Sequence, residues 1–302
     1  MKTVFFSKNG LQHTYQRTVD KGVFLYKTSE RLMLFTILSV CSRRHKIVVC
    51  ALAMMFTHLH SLSKVERRED LGRFFGNALS IYVKEINSFT GRTGPMFAPI
   101  DSASKIGAKK IKEAISYVYN NSTEKKLYQQ ACEDRWNFLA YYKSDHPFSK
   151  KLVKRKASHK LRDSCKIVDV ECQSGRYLNL ARLYSLFDGL DKDETEQLID
   201  YIIVKYNFIS YDETIKYYPD YDDMVRAFDI TVGKEFDLNE DYEPNSELPY
   251  LKMLSTAQEL GLLGKEMKIY KLSESGKKKY AVQFRKSFSA MERLIAKFLH
   301  VV

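Results

Sequence analysis

No apolar run in this 302-residue sequence has the length of a bilayer-crossing helix: Leu32–Cys41 and Ile47–Phe56 are about half of the ~20 residues required. The opening MKTVFFSKNG lacks the apolar core of a secretory signal, so neither export nor a membrane anchor is expected. Cysteine pairs are missing as well. Cys41, Cys50, Cys132, Cys165 and Cys172 form no C-x-x-C motif, are odd in number, and sit in a chain too large to need disulfide staples, which points to a reducing cytoplasm. Internal repeats are absent. Acidic side chains are scarce in one half only: residues 1–160 hold 12 Asp and Glu against 29 Lys and Arg, whereas residues 161–302 hold 25 against 20. The first half therefore has the charge of a polyanion binder, because Lys and Arg that neutralise phosphates release counterions. That balance alone does not separate DNA from RNA or from an anionic membrane surface. With 44% hydrophobic and 13% aromatic residues, the chain can bury a core and is long enough for two domains.

Residues 11–19, LQHTYQRTV, read as a strand, and Lys21-Gly22 turns the chain. The spacing predicts a helix over 28–44, with Thr28 or Ser29 as N-cap and Arg43-Arg44 suiting its C-terminus. Lys46–Met55 is dense in Val, Leu and Ile and reads as a buried strand, with the His58 segment its continuation or the next strand. Helical spacing returns over 67–88 and again over 102–121, the second carrying Ile111, Ala114, Ile115 and Val118 on one stripe. Strand, helix, strand, strand, helix, helix predicts an α+β domain: a ferredoxin-like, RRM-like sandwich whose central antiparallel sheet is backed by helices on one face and free on the other. The expected organisation is a domain over 1–148, a basic linker over 149–175, and a mainly α-helical C-terminal region over 176–302. Residues 149–162, SKKLVKRKASHKLR, hold seven basic residues in fourteen. A helix is expected over Glu194–Phe208 and another over Phe288–Val302, the latter capped by Ser289. The acidic, Tyr-rich stretch 211–250 reads as a protein contact or as an autoinhibitory cover of the basic face.

The residues with chemistry are few. In a strand, His58 and His60 project from one face while Leu59 turns to the other, so His58-Leu59-His60 presents two imidazoles together, half of a metal site. Ordinary packing or surface histidines give the same pattern. At ~100° per residue, Lys110, Tyr117 and Asn121 fall in a narrow sector about a right angle from the Ile111/Ile115/Val118 stripe, placing Tyr117 at the edge of a packed helix. Tyr117 is equally a boundary aromatic among 20 tyrosines, and Tyr119, flanking the stripe on the other side, is the rival nucleophile. A phenol, with a reference pKa of about 10, attacks a phosphodiester at neutral pH only when its ionised form is favoured and the non-bridging charge is neutralised. Mg²⁺ or Mn²⁺ meets the second need, and imidazole with amide oxygen favours Mn²⁺ in affinity.

From His13 to Lys125 the chain resembles the single-tyrosine HUH transposases, most closely the REP-associated group. HTYQRTVDKGVFLY (13–26), MMFTHLHSL (54–62), INSFTGRTGPMF (86–97) and AISYVYNNSTEK (114–125) carry the resemblance. It implies His58 and His60 as ligands of a divalent metal, Tyr117 as nucleophile, and Asn121 as third ligand one turn later. It further implies a metal-dependent transposase or endonuclease that recognises DNA hairpins and cleaves and rejoins single strands through a covalent 5′-phosphotyrosine, acting in the bacterial cytoplasm on the nucleoid. Arg17, Arg92, Lys109 and Lys110 are the candidate phosphate contacts. No membrane partner and no small-molecule substrate is expected. Two departures stand out: Met55-Phe56-Thr57 replaces the family's usual Met-Pro-Asn before the first histidine, and Ser122 follows the helix asparagine where Pro is usual. LIAKFLHVV resembles the first helix of a helix-turn-helix, so a partial motif only is expected. A hairpin-binding protein without catalysis and an RNA-binding α+β module with a fortuitous H-x-H compete with the enzyme.

Overall fold

The computed structural model describes residues 6–228, 247–288 and 291–301. Four strands, β1 (Leu11–Arg17), β2 (Val48–Met54), β3 (His58–Lys64) and β4 (Asp101–Lys105), form one antiparallel sheet in the order β2-β3-β1-β4. Helix α1 (Thr28–His45) joins β1 to β2, α2 (Arg68–Thr90) joins β3 to β4, and α3 (Ala108–Glu124) follows β4. The fold is α+β.

Both faces of this sheet are covered, which corrects the expectation of a free face. Val49, Leu52, Met54 and Leu59 pack with α1 and α2 on one side. On the other, Leu11, Cys50, Ala51, Ala53 and Leu62 meet Ile111, Ala114, Ile115, Val118 and Tyr119 of α3. The apolar stripe of α3 demands this burial: each of Ile111, Ile115 and Val118 gains roughly 1.5–3 kcal/mol by leaving water. The helix expected over 102–121 divides. Residues 101–105 alternate across the sheet and pair with β1, and Gly107, with φ 81°, breaks the chain before α3 begins.

Helix α1 is buried from Ser29 to Ser42 because a third layer lies outside it. Here α4 (His159–Gln173), α5 (Leu180–Phe187) and α6 (Lys192–Lys205) contribute Leu161, Val168, Leu183, Ile199 and Ile202 to the cluster that contains Leu34, Phe35 and Leu38. Residues 149–175, expected as a linker, thus include a packed helix in their second part. Two short helices, α7 (Asp212–Ile215) and α8 (Tyr221–Phe228), follow, with Tyr221, Met224 and Phe228 against α3. Finally α9 (Leu248–Glu259), α10 (Glu274–Ser287) and α11 (Glu292–Leu299) form a cluster on Val23, Tyr26 and Phe56. Ser289, expected as a cap, and residues 229–246 of the acidic stretch lie outside the described residues. No helix among the described residues is long and apolar enough to cross a membrane.

The N-terminus of α1 is closed by Glu30 and not by the expected Thr28 or Ser29. Its Oε2 accepts the N–H groups of Tyr26 (2.9 Å) and Lys27 (2.8 Å), and its Oε1 accepts the hydroxyl of Tyr270 from the C-terminal region. Burial pushes the Glu30 carboxyl up to about 7 against these donors, and Glu247, also buried, rises to about 7. A carboxyl raised in the folded state stabilises fully below its unfolded pKa, near 4.5, and loses that contribution as pH climbs through about 7. We therefore expect Glu30→Gln to flatten the fall in thermal midpoint between pH 5 and pH 8; parallel curves for the two proteins would show that Glu30 does not titrate in that window.

Candidate active site beneath the third helix

Strand alternation divides β3 between two environments. Leu59 enters the core under α1 and α2, while His58, His60 and Leu62 face α3. Register supplies the neighbours: Tyr15 lies opposite His60, Arg17 opposite His58, and His13 opposite Leu62. On the far side of β1, Tyr15 lies opposite Asp101, so Ala53, His60, Tyr15 and Asp101 form one row across the sheet.

Tyr117 descends from α3 onto this surface. Its ring centroid is 5.3 Å from that of His60 and 5.6 Å from that of His13, both edge-on. The His58 and His60 rings are 4.9 Å apart, and Tyr15 is 5.4 Å from His58 and 5.1 Å from His60. All five side chains are buried, Tyr117 being 8% exposed and His60 fully enclosed. Asn121 stands one turn beyond Tyr117 on the same face of α3 and is also buried.

Hydrogen bonds orient the imidazoles. Nδ1 of His60 is 3.2 Å from Nε2 of His13, and Nδ1 of His58 is 2.9 Å from Oγ1 of Thr57. In both histidines Nδ1 is tied to protein, so Nε2 is the atom that would turn to a metal, an arrangement in which the second ring nitrogen fixes tautomer and direction. The donor set fits a divalent ion of intermediate hardness: two imidazoles and the Oδ1 of Asn121, which is buried without a hydrogen-bond partner. Such an orphaned oxygen costs about 1–3 kcal/mol and calls for an electropositive neighbour. No group of three or more His, Cys, Asp or Glu side chains placed to hold a metal occurs among the described residues, and this set depends on an amide.

The two candidate nucleophiles occupy different environments. Tyr119 is fully buried in the α3 core, its ring 5.6 Å from Phe228 and its hydroxyl 3.5 Å from the Cys50 carbonyl, and burial holds that hydroxyl well above the ordinary phenol range. Of the pair, Tyr117 is the one against the histidines. Arg17 flanks His58 through register and donates to the Thr18 carbonyl at 3.3 Å. Arg92 ties its own loop to the end of α2, donating to Asn87 Oδ1, Gly94 O and Pro95 O at 2.9, 2.9 and 2.6 Å. Lys109 and Lys110 are exposed in the first turn of α3, about 10 Å along the helix from Tyr117. Sequence reasoning missed His13, Tyr15, Thr57 and Asp101 as neighbours. The alternation His13-Tyr15-Arg17 in a predicted strand was the available signal, but their register against His60 was not.

Replacing an orphaned polar group by an apolar one of similar shape removes a desolvation cost. Urea unfolding of metal-free protein is therefore expected to find Asn121→Leu at least as stable as the native chain. Asn137→Leu should lose about 2 kcal/mol or more, because Asn137 donates to Ala131 O at 2.5 Å and Tyr119 O at 3.3 Å and accepts from Leu139 N at 3.0 Å. Equal losses would remove Asn121 from the site.

No protein-family model matches the chain, and no curated protein matches it. Among solved structures, a REP-associated tyrosine transposase bound to a REP hairpin is similar over 45% of this chain and 80% of that one, at 12% identity and a TM-score of 0.38, a distant likeness.

Proposed function

We propose that this chain is a metal-dependent DNA strand transferase of the single-tyrosine HUH kind, which binds hairpin-forming DNA and cuts and rejoins an adjacent single strand in the bacterial cytoplasm. One observation carries the reading: Tyr117 meets His60 and His13 on the sheet face that also holds His58, with the orphaned Oδ1 of Asn121 one turn along the same helix face. The β-α-β-β-α-β order with sheet order β2-β3-β1-β4 supports the ferredoxin-like assignment, and the basic first half supports a polyanionic partner.

The chemistry is an exchange of esters. The Tyr117 phenolate oxygen attacks the phosphorus, the new O–P bond forms as the bond to the 3′-oxygen breaks, and the proton lost by the phenol is recovered on that oxygen as a 3′-hydroxyl. The link retained on the 5′ side keeps the ester energy, so rejoining by the reverse attack needs no nucleotide cofactor. Mg²⁺ or Mn²⁺ held by His58, His60 and Asn121 would neutralise the non-bridging oxygens. His13 acts through His60 as a positioning residue, holding Nδ1 so that Nε2 faces inward. A second reading, a hairpin-binding protein without catalysis, draws support from the enclosure of the site, where Tyr117 is 8% exposed.

Incubation of the purified chain with end-labelled hairpin DNA carrying a single-stranded flank, with Mn²⁺ or Mg²⁺, separates the two on a denaturing gel. The expected result is a metal-dependent, protein-linked band that disappears in Tyr117→Phe, persists in Tyr119→Phe, and is lost in His58→Ala and His60→Ala while hairpin binding remains. Hairpin binding with no linked band under either metal would establish the non-catalytic protein. His13→Phe should raise the Mn²⁺ needed for half-maximal adduct roughly 10–100-fold, with recovery at saturating metal; an unchanged requirement would reduce His13 to packing.

A further inference from the structure

A second concave surface lies away from β1, β3 and α3, between residues 142–154 and α6, with a volume of about 640 Å³. That volume is in the range of sites that enclose a nucleotide-sized ligand. Lys143, Lys151, Lys154 and Lys205 line it, with Tyr142 and Tyr201 between them. Two of these cations are already engaged outside the cleft, Lys143 with Asp222 and Lys205 with Asp169, each at 3.1 Å. Lys151 and Lys154 are exposed and make no ion pair among the described residues, whereas the adjacent Lys150 is paired with Asp193 at 2.5 Å. Of the two lining carboxylates, Asp200 is 1% exposed and compensated from behind, accepting from the Tyr141 hydroxyl at 2.7 Å and the Phe148 N–H at 3.2 Å, with Arg135 at 3.3 Å. Asp145 is the other. The rim continues into the basic run, where Arg155 and Lys156 are exposed.

The aromatic component distinguishes this cleft from a plain basic patch. Tyr142 is 42% exposed although its ring is stacked on Tyr221, with centroids 4.8 Å apart and planes at 18°, and meets Tyr211 edge-on at 5.8 Å. A tyrosine held by two aromatic neighbours that still keeps 42% exposure is a stacking platform held in place before any ligand arrives. Cations that track a backbone beside a fixed aromatic face are what an unpaired nucleotide requires, since the phosphate takes the charge and the base takes the ring. An acidic peptide would use the lysines and leave the ring idle.

We propose that this cleft binds a segment of single-stranded nucleic acid, with a phosphate on Lys151 and Lys154 and a base against the exposed part of Tyr142. None of the lining residues belongs to the site beneath α3, so the binding stands whether or not that site performs strand transfer. The test uses the full chain carrying Tyr117→Phe, so that no covalent link contributes, and fluorescence anisotropy of a labelled twelve-residue thymidine oligonucleotide across a salt series. The Lys151→Gln/Lys154→Gln variant is expected to reduce the slope of log K against log salt by about 1.4, since each single-strand phosphate contact contributes roughly 0.7. Tyr142→Ala is expected to weaken binding roughly tenfold and leave that slope unchanged. A charge-matched control, Lys265→Gln/Lys268→Gln, should keep the native slope. Photo-crosslinking with 5-iododeoxyuridine in the same oligonucleotide should label the peptide containing Tyr142. An unchanged slope in the cleft variant, an equal loss in the control, no label on the peptide containing Tyr142, or displacement by polyglutamate as effective as by unlabelled oligonucleotide would each overturn the proposal; matching thermal midpoints show that the variants remain folded.

Discussion

The two-residue alternation of β3 is the constraint from which the rest of this architecture follows. Because Leu59 must enter the core beneath α1 and α2, His58 and His60 are committed to the opposite face, and nothing in the histidines themselves is needed to put them there. A one-residue slip against β1 would bury two imidazoles in the helix-packed core and expose Leu59 to the polar side, so the burial of Leu59 and the pairing of Tyr15 with His60 lock one another. Helix α3 then has a single placement: its stripe of Ile111, Ile115 and Val118 packs on Leu11, Ala51 and Leu62, and Tyr117, a right angle from that stripe, comes down over the histidines.

Periodicity made the strand pair, the two long helices and the His58/His60 face readable, because each depends on spacing within one segment. The sector containing Tyr117 and Asn121 was readable for the same reason. What spacing does not encode is what lies opposite. The His13 contact with His60 depends on the register between strands 47 residues apart, and the burial of Tyr119 depends on Phe228, more than 100 residues downstream. The β4–α3 boundary was misread because Ala103 favours a helix and Ser102 and Ser104 favour neither element, whereas pairing with β1 decides their state. Arg92 gives three of its five N–H donors to Asn87, Gly94 and Pro95, a local pairing that spacing does not reveal.

Several charges are interior, and they tie the halves of the chain together. Arg31 is 6% exposed, donates to the Met54 carbonyl at the end of β2, and lies over the rings of Phe56 and Trp136 at 5.0 and 5.4 Å. Its charge faces Asp134, Glu247 and Glu30, three carboxyls that burial pushes upward. A guanidinium suits this position because its planar fork reaches the Met54 carbonyl while its face lies over the two rings, a combination that a compact ammonium does not reproduce. Tyr270, bonded to both Glu30 and the Phe24 carbonyl, extends this polar seam into the C-terminal helices.

The outer border of the sheet is finished by sequence far away. Beside β2, Ile209 forms a parallel bridge with Val49, and the Ser210 N–H donates to the Val49 carbonyl at 2.8 Å. An open strand border is a template on which another chain can grow, and β2, with its run of Val, Cys, Leu and Met, would be an adhesive one. During synthesis that border is made some 150 residues before its cover, so for most of the time that the chain is emerging, β2 has no internal partner on that side. The N-terminal half of such a protein is therefore not a portable part: grafted or truncated before residue 210, it would carry a sticky rim, and self-association would compete with every other property it has.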